Sequence, residues 1–137
     1  MDRAAGTAVT DESMRQRWTE PVTADLSSIR ARLRAALTAM IPSPNEQQAD
    51  DLALVMSELL ANAFLYAMPP IELVVTTTGR SVRLEVADAS PDLLPPPPPQ
   101  AALADTGRGL MLTARLSTRW GWDVNQKGKT VWAEFDV

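Results

Sequence analysis

Residues 52–67 contain only Ser57, Glu58 and Asn62 as clearly polar side chains. Glu58 and Asn62 are four apart, so on a helix they share a face, with Asp51 two turns before Glu58 on the same side. A carboxylate there can take a proton, and an amide oxygen suits a hard divalent cation. Further along, Asp88 closes an alternating run, followed by Ala89-Ser90-Pro91, a proline-rich gap and Gly107-Arg108-Gly109-Leu110. An acid at a strand end can accept a hydrogen bond from the exocyclic amine of adenine. Glycines opening a helix let its first amides, and the positive end of its dipole, approach phosphate. In this order and spacing, the residues are what a magnesium-nucleotide site needs.

Each signal also has an ordinary structural use. Glu58 and Asn62 could form a narrow solvated stripe, although Lys, Glu or Gln suit such a stripe better than Asn. Asp88 beside Ser-Pro could simply initiate a turn. Gly107 and Gly109 could mark a loop-to-helix junction. Four of the six glycines fall between positions 107 and 128, which concentrates the permissive backbone there. No Walker loop is present, because Gly128-Lys129-Thr130 lacks the upstream glycine and enters a strand.

Composition narrows the chemistry. The 137 residues, 45% hydrophobic and 22% charged, fit one globular domain with a real core. Without cysteine there is no disulfide framework and no thiolate metal site. Without histidine there is no imidazole base and no phosphohistidine. A net charge of −4 argues against direct nucleic-acid binding, and Arg30, Arg32 and Arg34 would be spread around a helix. No apolar run reaches the roughly 18 residues a membrane span needs, and residues 1–11 lack a signal-peptide apolar region. A cytoplasmic location, with no membrane contact, is the expectation.

The elements that must position these residues follow from periodicity and punctuation. Residues 1–14 read as a loose tail, and 15–19 as a short edge strand around Trp18. Leu26, Ile29, Leu33, Ala36 and Leu37 predict an amphipathic helix over 25–40, capped by Thr23 or Asp25 and stopped by Pro42 and Pro44. Asn45 caps a second helix to about residue 67, ended by Pro69-Pro70. Residues 71–78 and 81–88 form a hairpin around Gly79-Arg80. A loop over 89–106, with a stiff polyproline spacer at 95–99, leads to a helix over 107–117. Strands over 119–124 and 130–137 make a second hairpin. This order predicts an α+β two-layer sandwich, a mixed or antiparallel sheet with helices on one face.

The constellation resembles the Bergerat-type, histidine-kinase-like ATPases, and within them the small anti-sigma factor serine/threonine kinases. The matching parts are Leu54-Val55-Met56-Ser57-Glu58-Leu59-Leu60-Ala61-Asn62-Ala63, Val86-Ala87-Asp88-Ala89-Ser90-Pro91, Gly107-Arg108-Gly109-Leu110 and Trp120-Gly121 through Gly128-Lys129-Thr130-Val131-Trp132. They span the chain from about Trp18 onward, as one ATPase domain over 15–137 with a lid at 89–106. The resemblance implies a Bergerat ATP-binding fold with ATP and Mg²⁺ between helices and lid. It casts Glu58 as general base and Asn62 as Mg²⁺ ligand. Asp88 would read adenine with Thr130 assisting through water, and Ser90, Gly107, Arg108, Gly109 and Leu110 would line the rest of the ATP site. The implied activity is phosphorylation of a serine or threonine on an anti-sigma factor antagonist, with a sigma factor sequestered by the same domain, which is expected to be a homodimer. A non-catalytic nucleotide-binding module, or a purely protein-interaction module of the same fold, is the alternative. The chain departs from the family in carrying Ser90 where a glycine box often reads Asp-x-Gly-x-Gly, and Leu65-Tyr66 where basic or histidine residues are common.

Overall fold

The computed structural model describes residues 12–20, 26–41, 45–90 and 105–137. The expected caps at Thr23 and Asp25, the stops at Pro42 and Pro44, the polyproline run and most of the expected lid lie outside the described residues. Among those described, strand β1 (Glu12–Trp18) precedes helices α1 (Leu26–Met40) and α2 (Glu46–Tyr66). The hairpin β2 (Ile71–Thr77) and β3 (Ser81–Asp88) follows, then α3 (Asp105–Leu116) and the hairpin β4 (Arg119–Asn125) and β5 (Gly128–Asp136). The five strands form one sheet in the order β1-β2-β3-β5-β4, and every pairing is antiparallel.

Strand alternation sorts the side chains into two faces. One face presents Ile71, Leu73 and Val75 of β2, Val82, Leu84 and Val86 of β3, and Val131, Ala133 and Phe135 of β5. These join Ile29, Leu33 and Leu37 of α1 and Leu52, Val55, Met56, Leu59 and Leu60 of α2 in one core cluster. The helices therefore cover a single face of the sheet, as the α+β sandwich requires. Leu52, Val55, Met56, Leu73 and Leu84 lose nearly all solvent contact, and each such burial stabilises the fold by about 1.5–3 kcal/mol.

Local signals set most element ends. The Asn45 side chain accepts the Gln48 N–H at 2.7 Å, capping α2. Past Tyr66, the Ala67 N–H still donates to the Ala63 carbonyl at 2.9 Å, and the cis Pro69–Pro70 bond follows. Gly79, with φ of +70°, makes the tight β2–β3 turn. The clearest departure from the expected boundaries is at β1. Strand β1 begins at Glu12 rather than 15, since all seven of its residues pair with β2, from Glu12↔Thr77 to Trp18↔Ile71. Residues 12–14 are thus strand and not tail, and Met14 packs against the core.

The other face of the sheet carries a charged lattice. Glu134 accepts from Arg83 at 2.6 Å and from Arg119 at 2.9 Å, and Arg119 also reaches Asp136 at 2.6 Å. The Arg83 guanidinium lies 4.4 Å from the centre of the Trp132 ring. Gly121 is what lets that indole lie across β4, because a Cβ there would come within 2.8 Å of it.

Candidate functional site

Alternation places Asp88 on the helix-side face, one step beyond the core residues Val82, Leu84 and Val86 of its own strand. The core runs out there, and a carboxylate takes the next inward position with only 4% of its side chain exposed. A buried carboxylate needs partners on both oxygens. Oδ1 accepts the Ser90 N–H at 2.9 Å, the two-residue step of an Asx turn. Oδ2 accepts Lys129 Nζ at 2.8 Å. The turn-forming use of Asp88 is therefore real, and among the described residues it still leaves lone pairs free on a carboxylate that can take about four bonds.

Lys129 reaches Asp88 because the β3–β5 register pairs the two directly. Gly128 makes that approach possible. It has φ of +146°, and a Cβ at that position would collide with the Asp88 carbonyl oxygen. The same register corrects the expectation for Thr130. Thr130 pairs with Ala87, one step along, so its side chain belongs to the opposite face of the sheet from Asp88. The side chain beside the carboxylate is that of Lys129, which sequence reasoning placed in a matching segment and in a failed Walker match but gave no role at the site. Its signal was the glycine before it, which pins where β5 starts.

Two hydrogen bonds tie the segment just after α2 to the end of β3. The Ala89 N–H donates to the Met68 carbonyl at 2.9 Å, and the Met68 N–H donates to Ser90 Oγ at 3.2 Å. Ser90 thus does through its hydroxyl something a glycine could not, which gives this departure from the family pattern a structural reason. Asn62 and Glu58 lie on α2 in the turns leading up to that link. Both are half-buried, on the flank of a helix whose opposite side is core. Ser57 is a structural residue: its hydroxyl donates to the Ala53 carbonyl at 2.7 Å within the helix.

Helix α3 starts at Asp105, two residues before the expected Gly107, so Gly107 and Gly109 both lie in its first turns. The first four amides of a helix lack intrahelical partners, and residues 105–108 supply them here. Leu110 is 1% exposed and belongs to the core cluster, so its side chain anchors α3 and is not free to line a ligand site. The packing of α3 on α2 brings this helix start to the same side of the sheet as Glu58 and Asn62.

The arrangement suits a magnesium-bound polyanion with a base attached. The Asn62 amide oxygen is of the donor type Mg²⁺ prefers and would leave coordination positions for phosphates and water, while the Glu58 carboxylate one turn away can accept a proton. Asp88 offers acceptors and Lys129 donors at the sheet end. Among the described residues, no helix is long and apolar enough to cross a membrane.

Comparison with known proteins identifies the family and the fold. A family model for the histidine kinase-like ATPase domain matches residues 22–135. Among solved structures, the RsbU and RsbW domains of Rv1364c from Mycobacterium tuberculosis superpose with a TM-score of 0.62 at 17% identity, over 90% of this chain and 32% of that one. The histidine kinase domain from Erythrobacter litoralis EL346 blue-light activated histidine kinase gives a TM-score of 0.54 at 16% identity, over 81% of this chain and 60% of that one. The chain thus spans about a third of the first protein and three fifths of the second, and at these identities the likeness shows a shared fold. No curated protein matches it.

Proposed function

Because the chain belongs to the family of histidine kinase-like ATPase domains, we propose that it binds ATP with Mg²⁺ at the sheet end built by Asp88 and the α2 flank. One observation carries this reading. A buried carboxylate closes β3, and hydrogen bonds through Met68, Ala89 and Ser90 bind that end to the helix bearing Glu58 and Asn62. Asp88 takes the exocyclic amine of adenine on a free lone pair. The phosphates lie toward the amides of the first turn of α3, whose dipole favours them. Asn62 holds Mg²⁺ through its amide oxygen, and the ion supplies charge neutralisation to the phosphates.

We infer further that the domain is a regulatory serine/threonine kinase of the anti-sigma type. The RsbW-containing neighbour supports that reading at the level of fold. Glu58 accepts the proton of a serine or threonine hydroxyl on an antagonist protein, whose oxygen attacks the γ-phosphorus. The bond from that phosphorus to the β–γ bridging oxygen breaks, and ADP leaves. With no histidine in the chain, a carboxylate is the base the site has to offer. A sigma factor would be held on the same domain, acting as a homodimer in the cytoplasm.

Titration of the protein with ATP by calorimetry, with and without Mg²⁺, tests the first step. Saturable binding strengthened by Mg²⁺ is expected, and no heat of binding under either condition would refute it. Radiolabelled phosphate transfer to a cognate antagonist tests the second. Binding without transfer would leave a nucleotide-binding module that holds its partner but does not modify it.

A further inference from the structure

Asp88 was expected to read adenine with Thr130 assisting through water, yet an ammonium group stands 2.8 Å from it. We propose that Lys129 is a base-reading residue that joins Asp88 to form an acceptor–donor pair for a purine edge. The proposal rests on the nucleotide reading above and adds a specificity determinant to it.

The stereochemistry supports a grip on an edge where an N–H donor stands beside an acceptor. Among the described residues, Asp88 Oδ2 takes one bond from Lys129 and Oδ1 one from the Ser90 N–H, so each oxygen keeps one further acceptor position. Lys129 spends one of its three N–H donors on Asp88 and keeps others to give. Its side chain is 19% exposed, whereas that of Asp88 is 4% exposed. The lysine therefore lies on the accessible side of the pair. Adenine presents the N6 amine beside the N1 acceptor. N6 donates to Asp88, and N1 accepts a second N–H from Lys129. Both contacts involve a charged partner in a partly desolvated setting, which makes them strong for hydrogen bonds. Gly128 fixes the register that keeps the two side chains abreast.

An alternative role gives the opposite sign. A lysine that merely occupied the carboxylate would compete with the amine, and its removal would tighten ATP binding. A reader loses affinity when it is removed, and loses it only for bases that carry the acceptor.

The test is a chemical double-mutant cycle by calorimetry, with ATP and 1-deaza-ATP (N1 replaced by C–H) against the full chain and Lys129→Met. The wild type is expected to bind 1-deaza-ATP roughly 10- to 150-fold more weakly than ATP. Lys129→Met is expected to bind the two within roughly threefold of each other, the limit to which independent effects add. Equal binding of both nucleotides by the wild type would overturn the role. So would a Lys129→Met protein that keeps the discrimination, or one that binds ATP more tightly than the wild type. The wild-type comparison stands whether or not the variant folds. A folded wild type that binds no ATP would overturn the nucleotide reading itself, an outcome distinct from one in which ATP binds and Lys129 proves silent.

Discussion

At the scale of single residues, strand parity separates neighbours that look equivalent in the sequence. Asp88 and Lys129 face the helices, whereas Ala87 and Thr130 face the other way. Asp88→Ala should weaken ATP binding by roughly 10- to 150-fold, the loss of one charge-assisted hydrogen bond, with the fold kept. Thr130→Val should change it by no more than about twofold, as befits a side chain off the site. Calorimetric titration of both variants checks the pair, and a Thr130→Val defect as large as that of Asp88→Ala would put the adenine on the wrong face. Gly128→Ala is a different matter. It adds a Cβ against the Asp88 carbonyl at a φ of +146°, so it should destabilise the protein by more than about 1 kcal/mol. A lowered urea midpoint would register the effect. The acid that closes β3 was readable from residue types alone, since an alternating run ended in Asp. Its partner was not, because a one-residue choice of register decides whether Lys129 or Thr130 stands beside it.

At the scale of elements, α2 was the most legible part of the chain and also bears the proposed base and Mg²⁺ ligand. Asn45 at its start, an almost unbroken apolar run and Pro69-Pro70 beyond its end made the helix plain, with two polar residues left over to explain. Strand β1 was harder to read, because Glu12 and Ser13 are polar and only the full register with β2 makes them strand. The start of α3 lies two residues before the expected Gly107, because reading the helix as opening at the glycine pair left Asp105 and Thr106 to the loop. Its first amides, and not the Leu110 side chain, are what can meet an anion. Glu58→Ala tests the division of labour along α2. It should keep Mg-ATP affinity while slowing phosphate transfer to the antagonist by ~10²–10⁴-fold, the usual cost of losing a general base. Unaltered transfer would move the base elsewhere. By contrast Leu84→Ala, deep in β3 and without exposure, should cost about 2–5 kcal/mol of stability, measurable by chemical denaturation.

At the scale of the whole molecule, the two faces of the sheet divide the tasks. The helix side holds the core and the candidate site, and the other side holds the lattice of Arg83, Arg119, Glu134 and Asp136. Hydrogen bonds from Arg119, then Arg83, hold the Glu134 carboxyl below its ordinary value of 4.5. A group whose folded value is depressed stabilises the protein above its unfolded value, and that contribution is lost as pH falls through the folded one. Stability should therefore drop as pH is lowered below about 4.5, and Glu134→Gln should flatten that part of the dependence. Urea melts at pH 7 and pH 3 compare the two proteins, and equal acid sensitivity would remove Glu134 from the explanation. Added salt should narrow the gap, since the arginines are partly in solvent. The strand order has a kinetic consequence as well. β3 and β5 are neighbours in the sheet, yet Asp88 and Lys129 are 41 residues apart in the chain. Their meeting waits on the closure of a long loop, a slow event compared with forming the β2–β3 and β4–β5 hairpins. The proposed nucleotide site is thus absent until the two hairpins zip together, and on that proposal a partly folded chain has no means of holding its ligand.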